Sequence, residues 1–192
     1  MYKKQVKLQR IICLALLILC AVIFVYSLGI MTDLYDALYS TYRRGKTSLS
    51  GAEVYMDMQG FNRDFLHASI GMILLAVLLF VTNTQSRRRY YIGNYAAIGL
   101  FSAAGLALAV WAHGQIEIFK AQFLTIDFSA LAEHAAKKKT LFTDSTFWFD
   151  VHYVIFGLLV IGIVLLIANA VWKCRLMKEE QALIAQGKEA AA

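Results

Sequence analysis

Four stretches of the chain, residues 11–32, 65–86, 90–116 and 151–172, each run for more than 20 residues without an Asp, Glu, Lys or Arg. A hydrocarbon layer about 30 Å thick is crossed by about 20 helical residues. Lipid offers no partner to an open backbone, so each stretch is expected to be helical. The pattern therefore predicts an all-α integral membrane protein, a bundle of four transmembrane helices in one membrane domain.

The segments between the spans are also patterned. Residues 33–42 repeat apolar side chains at three- and four-residue steps and are expected to prolong the first helix. Gly45 and residues 47–50 then break it. Ser50 and Glu53 form a capping-box pair that should start a short helix ending near Gly60. The third helix is expected to run on to residue 125, and Asp127 to cap a further helix over residues 128–137. Segments 33–64 and 117–150 should thus form a small, aromatic-rich helical cap.

Composition agrees: 59% of the 192 residues are hydrophobic and proline is absent, which favours long helices with few kinks. The net charge of +6 suggests nucleic acid until it is mapped onto the spans. Eleven basic and three acidic residues lie in the amino end, in the turn with Arg87, Arg88 and Arg89, and in the tail 173–192; the two long segments hold eight basic and ten acidic. A net +8 against −2 places both termini on the cytoplasmic side of the plasma membrane and the cap outside. The first span is read as an uncleaved anchor, being too long for a signal peptide. Arg87, Arg88 and Arg89 set the topology and face lipid headgroups. Cys13, Cys20 and Cys174 are odd in number and read as packing residues rather than a disulfide framework.

Each half of the chain has a span out, a long outer segment and a span back. Asp64 and His67 precede Asn83 much as Asp150 and His152 precede Asn169. The chain can therefore be read as two repeated hairpins. Asp64 and Asp150 are expected to cap the returning helices. Gly99, Ala103 and Ala107, at four-residue spacing, and Gly157 with Gly162 are the expected helix-packing positions.

Candidate chemistry is sparse. No span has an ionisable group at mid-membrane, as a pump or carrier would need. Asn83 and Asn169 are the deepest strong polar groups, and lining by them is what a small carrier or channel would require. No nucleophile with a matching base is evident, and no enzyme activity or cofactor is expected. His67, His113 and His152 all fall at outer span ends, near Asp64, Glu117 and Asp150. They are preferred as structural residues at a wet interface. The alternative is a redox protein holding a metal or haem on these outer histidines.

Residues 58–64 (MQGFNRD), 80–84 (FVTNT), 87–95 (RRRYYIGNY) and 143–153 (TDSTFWFDVHY) resemble uncharacterised small four-helix membrane proteins that accompany carbohydrate ABC importers in gram-positive bacteria. The resemblance carries over no catalytic residues. It implies an accessory or scaffold subunit of a bacterial transport complex. The expected partners are the bilayer and a permease, met through span faces and the outer cap.

Overall fold

The structure is a computed structural model that describes residues 2–32, 36–44, 46–84 and 92–189. Along the chain these form α1 (Tyr2–Thr32), α2 (Asp36–Thr41), β1 (Tyr42–Arg43), β2 (Lys46–Thr47), α3 (Val54–Asn83), α4 (Ile92–Phe123), α5 (Phe128–Lys138) and α6 (Phe147–Glu189). The fold is all-α, about 86% helical. Helices α1, α3, α4 and α6 are each long and apolar enough to cross a membrane. Arg87, Arg88 and Arg89 lie outside the described residues.

The four long helices close into a ring in which α1 and α4 each pack against both α3 and α6. On α1, the buried residues Ile12, Cys13, Leu16, Cys20 and Ile23 recur at three- and four-residue steps. The opposite face is no less apolar: Ile11, Leu14, Ile18, Val22 and Val25 are exposed. A helix apolar all round suits an apolar exterior. Cys13 and Cys20 are free and completely buried, as small packing residues would be.

Hydrogen bonds join the helices at few points. The Tyr26 hydroxyl donates to the Trp148 carbonyl at 2.8 Å, tying α1 to α6. Ser27 and Ser69 meet at 3.2 Å between α1 and α3. Above them the core becomes aromatic. The ring of Phe61 lies 5.5 Å from Phe65, 5.2 Å from Trp111 and 5.4 Å from Phe119. Such offset and tilted pairs add to simple burial.

The cap is built from α2, the β1–β2 hairpin, the start of α3 and α5. Helix α5 packs on α2, with His134 Nε2 3.0 Å from Ser40 Oγ. Asp127 caps α5, accepting the Ser129 and Ala130 N–H groups at 3.0 and 3.1 Å. Lys139, at φ 55°, ends it in the left-handed conformation. Gly51 has φ +85°, and a Cβ there would lie 3.1 Å from both Ile126 and Thr125 side chains. Only glycine combines that backbone with so close a neighbour.

Several sequence expectations are corrected. Residues 33–35 of the expected prolongation of α1 lie outside the described residues, and residues 36–41 form α2, whose Ala37 N–H donates to the Leu141 carbonyl rather than back along α1. No helix ends near Gly60, because α3 runs unbroken from Val54 to Asn83. Asp64 consequently sits exposed within α3 and caps nothing; Arg63 lies 3.7 Å away. Glu53 occupies the N-cap position of α3, but its carboxylate accepts from Thr47 Oγ1 at 2.7 Å and makes no cap bond. Backbone turns through Leu49 and Gly51 start that helix, and the Ser50 side chain makes no bond to it among the described residues.

The small-residue stripe is also misplaced. Gly99, Ala103 and Ala107 are exposed, facing out of the bundle. The close approach on α4 is at Gly105, where a Cβ would lie 3.0 Å from Ile163 and 3.4 Å from Met72. Gly157 is exposed, with nothing within 4 Å of a Cβ, whereas one on Gly162 would lie 2.6 Å from the Leu16 side chain. Gly105 and Gly162 are thus the positions that set helix separation.

Gly162→Leu should lower stability by about 1–3 kcal/mol through overpacking against Leu16. Gly99→Leu should be neutral or mildly stabilising, since it only removes a helical glycine. Thermal melts in one detergent compare them, and equal melting temperatures would contradict the assigned faces. The α5 cap carries a pH dependence. The Ser129 hydroxyl, then the Ala130 N–H, hold the Asp127 carboxyl below its ordinary range. The folded state thus favours the carboxylate, and the contribution is complete above the unfolded value of about 3.9 and lost as pH falls through the depressed folded value. Amide-exchange protection at Ser129 and Ala130, corrected for intrinsic rates, should drop across that acid range but not above it.

Candidate metal centre

The centre lies where α4 approaches its carboxyl end and α6 begins. His113 and Glu117 are four residues apart on α4, so one helical turn puts both on the same face. His152 follows in the second turn of α6 and is completely buried. Its Nε2 lies 2.8 Å from His113 Nδ1 and 3.8 Å from Glu117 Oε1. One ligand atom from each of the three side chains falls within 4.8 Å of the others.

The surrounding groups fix this geometry. His152 Nδ1 faces the Phe149 carbonyl within its own helix. A carbonyl can only accept, so Nδ1 carries the proton and Nε2 presents its lone pair toward His113. The His113 Nδ1–H then donates to it. The Tyr153 hydroxyl donates to Glu117 Oε1 at 2.8 Å, holding that carboxylate from the side of α6. One turn further along α4, Lys120 Nζ meets Asp150 Oδ1 at 2.5 Å, and Thr146 donates to Asp150 Oδ2 at 2.8 Å. Asp150 therefore sits in the first turn of α6, where its charge suits the helix dipole, but its oxygens are taken by Lys120 and Thr146. At the helix start the Ser145 hydroxyl accepts the Phe147 N–H at 3.2 Å.

The donor set suits a divalent transition metal. Two imidazoles and one carboxylate form a three-ligand site with room for a further ligand. Bonds of about 2.0–2.1 Å in a tetrahedron place two nitrogens about 3.3 Å apart. The 2.8 Å separation here would open by about half an ångström, a small motion for the exposed His113 ring. A backbone carbonyl on the far nitrogen of one histidine and a phenol on the carboxylate are the outer contacts that orient metal ligands.

Of the three histidines picked out in the sequence, the structure brings together His113 and His152. His67 stays exposed on α3 and joins no ligand group among the described residues. This also breaks the internal correspondence of the two hairpins. His67 lies well within α3, whereas His152 lies in the second turn of α6. Glu117, expected from the sequence only as a nearby carboxylate that could orient the histidines, falls within the ligand group itself, and Tyr153 is a contributor that the sequence did not place in a site. The spacing of His113 and Glu117 was the available signal.

A second polar group occupies the other end of the bundle. Gln5, Gln9, Asn83, Asn169 and Lys173 are all buried there. The Asn169 amide donates to Gln9 Oε1, linking α6 to α1, and Gln9 Nε2 lies 3.7 Å from Cys13 Sγ. Asn83 donates to the Asn94 carbonyl at 3.5 Å and to Thr82 Oγ1 at 2.9 Å. The Gln9–Asn169 and Asn83–Asn94 contacts join helices, and none of these five residues lines a cavity among those described.

Comparison with protein-family models, curated proteins and solved structures finds no match to this chain.

Asp150→Ala should cost up to about 1 kcal/mol, the range of partly exposed ion pairs, and the loss should shrink at high salt. Melting temperatures of the variant and parent at low and high salt measure it. A salt-independent loss would assign the effect to the Thr146 bond instead.

Proposed function

We propose that this is a multi-pass membrane protein, its four long helices spanning the plasma membrane and its termini cytoplasmic, which holds one divalent transition-metal ion on His113, Glu117 and His152 at the outer end of the bundle. The observation that carries the reading is the convergence of three ligand atoms within 4.8 Å from two different helices, with His152 and Glu117 each held by a partner outside the ligand set. The apolar exterior of the long helices supports the spanning arrangement, and the basic balance of the amino end, the segment 85–91 and the tail supports its direction. Imidazole and carboxylate without thiolate favour zinc, iron or manganese over Cu(I). An accessory role beside a permease, the other expectation from the sequence, is compatible with such a centre and would set where the ion acts.

Purified protein stripped with chelator and titrated with Zn²⁺ should bind one equivalent, and Co²⁺ should give the visible bands of a low-coordinate site. His113→Ala and His152→Ala should abolish this binding. Tyr153→Phe should weaken it about 10-fold, the low end for an outer-contact loss. His67→Ala should leave it unchanged. A protein that binds no metal, or loses it equally with His67→Ala, would leave His113 and His152 as a structural pair and the accessory role as the remaining reading.

A further inference from the structure

An open groove of about 500 Å³ runs down the bundle surface between α4 and α6, and the imidazoles of His113 and His152 form its polar end. Below them its walls are Ala109, Val110, Phe156, Gly157, Val160 and Ile161. The helices run in opposite directions, so descending numbers on α4 and ascending numbers on α6 lead the same way from the histidines. From His152 to Ile161 the groove extends about 13 Å at 1.5 Å per residue. Its volume is in the range of small-molecule sites. Gly157 opens it, since a Cβ there would meet nothing within 4 Å.

We infer that this groove receives the hydrocarbon chain of a free fatty acid and presents its carboxylate to the centre formed by His113, Glu117 and His152. The inference rests on the metal-binding reading above. Three features select that ligand. The walls are apolar over their length, so the occupant is apolar wherever it lies below the histidines. Apolar lining starts within about one turn of each histidine, at Ala109 and at Phe156, so the polar part of the ligand must be short. A carboxylate meets that limit, whereas a glycerophosphate head needs more polar room. The third feature is charge. Glu117, Lys120 and Asp150 together carry −1, and a divalent ion turns the cluster to +1, which attracts a carboxylate and offers it an oxygen-accepting position.

A second apolar groove of about 540 Å³ lies between α1 and α6, lined by Leu8, Ile11, Leu16 and Leu165 among others, with no titratable group on it. It serves as an internal control, because general contact with bilayer lipid would fill both.

The test uses the full chain in phosphatidylcholine nanodiscs with Zn²⁺ and palmitic acid carrying a mid-chain diazirine. Irradiation followed by peptide mass spectrometry should place the label on Val110, Phe156 and Val160. Unlabelled palmitate should compete it away. Gly157→Leu, which fills the groove without a clash, should cut labelling about 10-fold, equivalent to the loss of about 1.4 kcal/mol, while Zn²⁺ affinity stays as in the parent. Chelation should also reduce labelling. Label spread equally over both grooves and indifferent to Gly157→Leu would mean annular lipid only and overturn the inference, with the metal reading intact if Zn²⁺ still binds. Selective labelling by a phosphatidylcholine carrying the same diazirine, in place of palmitate, would overturn the choice of ligand. Absence of Zn²⁺ binding together with selective, Gly157-dependent labelling would overturn the inference as stated, removing the metal centre that holds the carboxylate and leaving only an apolar groove that takes an acyl chain.

Discussion

Between their ends the four long helices satisfy their backbone polar groups internally, and the surface around them is as apolar as the core between them. Exposed Ile11, Ile18, Leu74, Val110 and Val164 are chemically indistinguishable from buried Ile12, Leu16, Leu79 and Ile163. Under that constraint the hydrophobic effect cannot tell one helix face from another. Close packing and a few polar contacts have to do so. Leu16 seated on Gly162, Ile163 on Gly105, and the hydroxyls of Tyr26 and Ser27 reaching α6 and α3 are those contacts.

The same constraint sorts the remaining polar groups to the two ends of the bundle. At one end, buried amides of Gln9, Asn83 and Asn169 bond across helices. At the other, His113, Glu117 and His152 converge, flanked by Tyr153, Lys120 and Asp150. Between them the core is aliphatic and aromatic, with Tyr26, Ser27, Ser69 and Ser102 its buried hydroxyls. A polar side chain in the middle would need a partner at a fixed point on a neighbouring helix, and losing that partner would leave it unsatisfied. Near an end, water and the cap are within reach, so a group with a chemical task can be kept there at lower cost.

How far the sequence revealed this follows from the same physics. The four long apolar helices were legible because they depend only on length and the absence of charge. Helix α5 was legible too, since Asp127 followed by an amphipathic run is a local signal that local structure obeys. Helix faces were not. With apolar residues all round, periodicity vanishes, and the evenly spaced Gly99, Ala103 and Ala107 pointed to the wrong side of α4. The break expected near Gly60 is absent because a glycine there costs a helix only about 1 kcal/mol, which packing of Met58, Phe61 and Phe65 readily offsets. That expectation carried Asp64 and His67 with it, since both owed their assigned roles to a helix start that lies elsewhere.

The candidate centre shows what combination of signals was needed. His113 and Glu117 share a helix face by spacing alone, which any reading of the sequence can establish. His152 joins them only if α6 turns that face toward α4, and the face is set by Gly162 three turns away, where α6 meets Leu16 of α1. A contact between α1 and α6 thus fixes the rotation that aims His152 at His113. The same rotation turns Gly157 outward, opening the groove beneath the histidines. Site and groove are therefore two consequences of one packing choice. A chain that moved Gly162 by one residue would turn α6 by about 100° and separate the ligands while leaving every long helix intact.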